Sequence, residues 1–275
     1  MDFVERKITI ADLSLEYLVY GKGEIDVVCL HGHGRNADDF SFIASHSRRV
    51  ISIHLFYHGN SIFPVERIET SPLQLEEFLK LFNHLLIQEN IQLFHLFAFS
   101  QGGRFSLCLT PTFAERIISL TLIAPDGMDN QSFYNWSSRQ KWARILFVHW
   151  EKNPRKLHTI SNLAVRLRLM RPKVGSFVKE FSSNEQSFTR ASKTWRAFRE
   201  IQPNPKEIGE TIRRYEIPFR IIMGKYDQVI RAKQAYAFEK KCGLNNTIIE
   251  VPNGHNFFKK SVINKFVHLL PFMDE

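Results

Sequence analysis

The stretch Leu93-Phe94-His95-Leu96-Phe97-Ala98-Phe99-Ser100-Gln101-Gly102-Gly103-Arg104 carries an apolar run straight into a serine set between very small residues. Ala98 stands two positions before Ser100 and Gly102 two positions after it. A strand that ends in such a serine and passes directly into a helix makes a sharp turn, which lifts the hydroxyl above the sheet. The small neighbours are a steric requirement. At so tight a reversal, a large group at position 98 or 102 collides with the adjoining strand or helix. Ser100 therefore reads as a nucleophile.

The pattern resembles the nucleophile elbow of the α/β-hydrolase family, G-x-S-x-G, with Ala98 at the first glycine. A serine hydroxyl is a poor nucleophile at neutral pH, so it needs a base to take its proton and a carboxylate to orient that base. The resemblance implies the chain order serine, acid, histidine. Pro218-Phe219-Arg220-Ile221-Ile222-Met223-Gly224 reads as a strand, and Lys225-Tyr226-Asp227 puts a carboxylate in the loop beyond its end. A second strand, Asn246 to Pro252, runs into Asn253-Gly254-His255. Asp227 and His255 are the acid and base this order implies. Each has a plainer reading: Asp227 as the cap of a helix starting near Arg231, and His255 as one of eleven histidines. Asp126, in Ala124-Pro125-Asp126-Gly127, is the alternative acid, because some family members take theirs after the preceding strand.

Attack on a carbonyl places negative charge on oxygen, which preorganised N–H groups must meet. The resemblance implies two backbone donors. One is the amide of Gln101, at the electropositive start of a helix; the other is that of His33, in His31-Gly32-His33-Gly34 after the apolar run Asp26 to Leu30. The histidines His31, His33, His54 and His58 also raise a metal-site reading, weakened by the lack of a Cys or Glu at ligand spacing. No metal and no organic cofactor is expected. Val50 to Ser61 resembles the family's strand and turn ending in H-G-x-S, with His54 where an aspartate commonly stands, and is expected to brace the neighbouring loop.

A chain of 275 residues with 44% hydrophobic content can bury one large α/β core plus an insertion without staples. Cys29, Cys108 and Cys242 cannot all pair, and Cys29 and Cys108 suit core positions. The first residues lack the layout of a signal peptide, and no apolar run is long enough to span a bilayer. A cytoplasmic location without integral membrane association is expected.

Short strands at Lys7 to Ile10 and Ser14 to Tyr20 come first, and strands then alternate with helical patterns. Ala37 to Ala44 suits a helix, as do a stretch starting at Ser71-Pro72 and the amphipathic run Ser261 to Leu270. This order predicts an α/β fold: a mostly parallel eight-stranded sheet with helices on both faces, and a helical cap inserted after strand 6. The implied domains are residues 1–128 as the first part of the core, 129–210 as the cap and 211–275 as the second part. Cap aromatics such as Phe133, Tyr134, Phe177, Phe181 and Trp195 are expected mostly to seal the cap.

Charge is uneven. The net charge is +9, yet Arg139 to Arg214 alone holds 18 Lys and Arg against 6 Asp and Glu. Two explanations compete: a funnel for an anionic substrate or an acidic surface, and a set of solvated helix faces. No nucleic-acid partner is expected, since no recognition motif accompanies the charge. The resemblance implies a serine hydrolase that cleaves an ester-like small-molecule substrate through an acyl-enzyme. The alternatives are a C–C bond hydrolase or lyase acting on an anionic substrate, and a slow or non-catalytic ligand-binding member of the fold. Ser100 stands where dehalogenases and epoxide hydrolases of the family carry aspartate, which disfavours those activities.

Overall fold

The computed structural model describes residues 2–129, 133–168 and 184–273. Phe177, Phe181 and the side chains of Phe133 and Tyr134 lie outside the described residues. Among the described residues there are eight strands: β1 Phe3–Ile10, β2 Leu13–Tyr20, β3 Ile25–Leu30, β4 Arg48–Ile53, β5 Phe94–Phe99, β6 Ile117–Ile123, β7 Phe219–Gly224 and β8 Ile248–Val251. They form one sheet in the order β1-β2-β4-β3-β5-β6-β7-β8. The β1/β2 and β2/β4 pairs are antiparallel and every other pair is parallel, as the alternation predicts.

All six residues of β5 are buried, which accounts for a continuous apolar run in a strand covered on both faces. Each fully buried Leu, Ile or Phe contributes about 1.5–3 kcal/mol. Because β5 to β8 run parallel, the loops that follow β5, β7 and β8 leave from the same edge. That edge receives residues 100, 227 and 255. The strand order also reverses beside β3, which has β4 on one side and β5 on the other, and in open α/β sheets the crevice at such a reversal is where ligands sit.

The chain divides into two compact units, one of residues 1–64, 74–130 and 201–275, the other of 65–73 and 131–200. The second is helical, with Arg67–Thr70, Phe133–Arg139, Lys141–Lys152, Pro154–Arg166 and Glu185–Ala197. Its interior includes Phe147 against Trp195, ring centroids 4.2 Å apart. Segment 65–73 belongs to it through charge: Glu69 takes Arg144 at 2.8 Å and Arg196 at 3.1 Å, and the Leu73 N–H donates to Ala197 O. Buried Arg199 adds bonds to the Ile68 and Glu69 carbonyls. Helix Pro205–Arg214, inside the 129–210 range of the sequence reading, clusters with the sheet unit. Gly209 is the reason: a Cβ there would stand 1.9 Å from Cys242 O, so this helix lies directly on Ala232–Cys242.

Three local expectations need correction. The helix expected from Ser71-Pro72 spans Leu75–Gln88, because Gln74 and Glu77 form its capping box. Ala37–Ile43 is a 3-10 helix. The expected helix over Ser261 to Leu270 is broken into a single turn, Lys260–Ile263, and a 3-10 turn, Val267–Leu269. There the amides of Phe266, Leu269 and Leu270 reach three residues back rather than four, and the tighter winding still buries Val262, Phe266 and Leu270. No helix among the described residues is long and apolar enough to cross a membrane.

Candidate active site

Ser100 has φ 48° and ψ −115°, a conformation that costs a non-glycine residue about 1–3 kcal/mol. Its neighbours hold it there. Its N–H donates to Ile123 O at 3.0 Å, while its carbonyl accepts from Gly103 N at 2.9 Å and Asp126 N at 2.8 Å. The glycines are needed because the helix lies against the ends of two strands. A Cβ on Gly102 would stand 2.1 Å from Leu30 O, and one on Gly103 2.4 Å from Pro125 Cβ. Ala98 is wholly buried.

The three residues that the chain order singled out meet in one chain of hydrogen bonds. Ser100 Oγ lies 3.2 Å from His255 Nε2, and His255 Nδ1 lies 2.7 Å from Asp227 Oδ2. A carboxylate can only accept, so Nδ1 carries the proton and the Nε2 lone pair faces the serine hydroxyl. Asp227 has 0% side-chain exposure and His255 24%. The other Asp227 oxygen accepts the N–H groups of Val229 at 2.7 Å and Ile230 at 2.9 Å. Asp227 thus divides its oxygens between the His255 ring and the turn amides, and it is not the cap of the following helix, Ala232–Cys242, whose N-cap is Arg231 in a capping box with Gln234. Gly224 lets the two loops meet: a Cβ there would lie 2.7 Å from the Asn253 and Gly254 carbonyls. The amide of Tyr226 donates to Asn253 O at 2.9 Å. Phe99 packs on the His255 ring at 5.1 Å between centroids.

Asp126, the alternative acid, is committed elsewhere. Its oxygens take Arg104 Nε at 2.9 Å and Nη2 at 3.0 Å, and Arg104 Nη1 donates to Ile201 O. This pair anchors the turn whose amide binds the Ser100 carbonyl. Arg104 lay inside the motif yet carried no sign of that role, since its partners are distant in sequence.

The loop after β3 passes the serine so closely that a Cβ on Gly32 would stand 3.0 Å from Ser100 Cβ. Two imidazoles clamp it to the loop after β4. His31 Nδ1 donates to Gly32 O at 2.7 Å, and its Nε2 accepts the Leu55 N–H at 3.1 Å. His58 Nε2 accepts the Gly34 N–H at 2.9 Å, and its Nδ1 donates to Phe56 O at 3.1 Å. Each ring therefore needs exactly one proton, and burial holds His31 well below the usual imidazole range. His33 lies between these clamps, its ring edge-on to His58 at 5.6 Å. Gln101 opens helix Gln101–Phe113, so its N–H is one of the donors that such a terminus leaves unpaired.

Among the described residues no group of three or more His, Cys, Asp or Glu is arranged to hold a metal ion, and both ring nitrogens of His31 and of His58 are bonded to backbone. His54 Nε2 lies 3.7 Å from Glu16 Oε2. Burial lowers the His54 pKa, so the contact is not an ion pair at neutral pH, and Glu16 is satisfied instead by Asn60 N and Nδ2.

A profile described as the alpha/beta hydrolase fold matches residues 27–261. The chain belongs to the α/β-hydrolase fold family. Solved members of similar shape include MGS-M2, an alpha/beta hydrolase enzyme from a Medee basin deep-sea metagenome library, with TM-score 0.67 and 14% identity over 98% of each chain. The enol-lactonase from Burkholderia xenovorans superposes with TM-score 0.64 and 14% identity over 98% of this α/β-hydrolase and 100% of that chain. The bromoperoxidase from Bacillus anthracis gives 0.62 at 18% identity, covering 100% of both. At such identities the likeness is one of fold. A curated relative, the dihydrolipoyllysine-residue acetyltransferase component of the acetoin cleaving system of Pseudomonas putida, is 33% identical over 111 residues, 39% of this chain and 29% of that protein.

Proposed function

We propose that this α/β-hydrolase is a serine hydrolase that cleaves an ester-like small-molecule substrate through an acyl-enzyme. The observation that carries the reading is His255, hydrogen-bonded to Ser100 through one nitrogen and to buried Asp227 through the other. Ser100 Oγ attacks the carbonyl carbon as its proton passes to His255 Nε2. The imidazolium that forms is stabilised by the Asp227 carboxylate. The oxyanion is met by the amides of Gln101 and His33, where each well-placed donor is worth about 10²–10³ in rate. His255 then returns the proton to the leaving alcohol, and the ester link to Ser100 remains. Water gives up a proton to Nε2 and attacks that acyl group, the carboxylate product departs, and Ser100 regains its hydrogen. No step needs a metal or an organic cofactor.

A series of p-nitrophenyl esters of rising acyl length, assayed beside a carboxylate-bearing diketone, tests the reading. Ester turnover that falls on the order of 10³–10⁶-fold in Ser100→Ala is expected. Turnover of the diketone with none of the esters would move the assignment to C–C bond hydrolysis.

A further inference from the structure

We infer that the exposed apolar stripes of two consecutive helices, Lys141–Lys152 and Pro154–Arg166, dock on an anionic lipid surface. On the first, Trp142, Ile145, Leu146 and His149 recur at the spacing of a single helix face, and all four are exposed. That face is not the one that builds the core of the unit: Ala143 is buried and Phe147 packs on Trp195 on the other side. The helix is therefore apolar on two sides, and only one is accounted for by folding. On the second helix, Ile160 and Leu163, with Leu167 just past the end, form an exposed stripe of their own. Exposure of the apolar residues among them runs from 39% at Leu146 to 59% at Ile145. Trp136 extends the patch, its ring 6.1 Å from that of Trp142.

Charge decides the occupant. Residues 133–168 hold eight Lys and Arg and one acid, Glu151, and Glu151 is taken by Arg196 at 2.7 Å. Arg144 is likewise taken by Glu69. Arg139, Lys141, Lys152, Lys156, Arg166 and Arg168 remain exposed around the apolar face. A soluble anion would not need so many apolar side chains, and an apolar protein groove would not need the cations. Low mean hydropathy with tryptophan and aliphatic residues on one face and Lys and Arg beside them is the pattern of a helix that lies in a bilayer interface. Tryptophan favours the headgroup level, and each Lys or Arg near an anionic surface adds attraction that salt screens.

The test is sedimentation with vesicles of phosphatidylglycerol or of phosphatidylcholine, run on wild type and Ser100→Ala. The docking reading does not depend on the serine, so both proteins should behave alike, and failure of either reading leaves the other standing. Binding to phosphatidylglycerol at low salt, weakened by high salt and absent with phosphatidylcholine, is expected. Lys152→Gln with Lys156→Gln should lower the partition by about tenfold or more, and Trp142→Gln with Leu163→Gln should abolish it, with circular dichroism unchanged. Should the second pair fail to fold, quenching of wild-type tryptophan fluorescence by brominated phosphatidylglycerol gives the same information. No sedimentation, or sedimentation indifferent to salt and to the lysine variants, overturns the proposal. So does a concentration-dependent dimer that Trp142→Gln with Leu163→Gln dissociates, since the face would then belong to a second copy of the chain.

Discussion

The Gly34 N–H donates to His58 Nε2 at 2.9 Å, so a side chain from the loop after β4 holds the loop that runs past Ser100. His58 makes this bond only as a neutral ring with its proton on Nδ1, which the Phe56 carbonyl enforces.

His58→Phe keeps a ring of similar size and removes the acceptor. The variant should lose about 10–100-fold in kcat through misplacement of the loop amides, with KM changed much less. His58→Gln can still accept the Gly34 N–H and should recover most of the rate. Steady-state kinetics on one ester decides, and equal losses in both variants would remove the positioning role.

Burial holds both His31 and His54 below the ordinary imidazole pKa in the folded state. Below about pH 6.5 the unfolded chain binds protons that the folded one refuses, so stability falls with acid, by at most about 1.4 kcal/mol per pH unit for each histidine. Stability from this source is complete above that pH. Urea unfolding at neutral and mildly acid pH should show the slope, and His31→Gln should flatten it. An unchanged slope would contradict the assignment.

The two aspartates should separate cleanly. Asp227→Asn leaves the turn but sets His255 in the wrong tautomer, and should cost on the order of 10⁴ in kcat. Asp126→Asn should leave kcat within about tenfold and act on stability instead, since a nearly buried Arg104 loses its charged partner, at about 3 kcal/mol. Kinetics paired with thermal melts distinguishes them. Loss of turnover in Asp126→Asn alone would exchange their roles.

Much of this organisation is legible in the sequence because it is local. Ser100, Asp227 and His255 each follow a run that reads as a strand, and parallel strands deliver such loops to one edge whatever the rest of the chain does. The 3-10 winding after Ile263 was not legible, since Val262, Phe266 and Leu270 suit an α-helix equally well. Nor was the union of residues 65–73 with the helices after β6. It depends on Glu69 meeting Arg144 and Arg196, and on the buried Arg199, contacts between residues far apart along the chain. The same pairings show why counting cations overstates the charge free to attract a ligand.

Two glycines should differ sharply in how much alanine costs them. Gly102→Ala drives a Cβ to 2.1 Å from the Leu30 carbonyl, which backbone cannot evade, so soluble folded protein should be lost. Gly34 has φ +69° but nothing within 4 Å of a built Cβ, so Gly34→Ala should cost only about 1–2 kcal/mol. Thermal melts and expression yield read both, and a well-folded Gly102→Ala would contradict the packing of the elbow.

The most direct measurement is labelling by a fluorophosphonate probe, with the modified residue mapped by mass spectrometry. A base-activated serine predicts one adduct, on Ser100, absent from Ser100→Ala and strongly slowed in His255→Ala. An unlabelled wild-type protein, or an adduct on Ser100 formed equally fast without His255, would contradict the account.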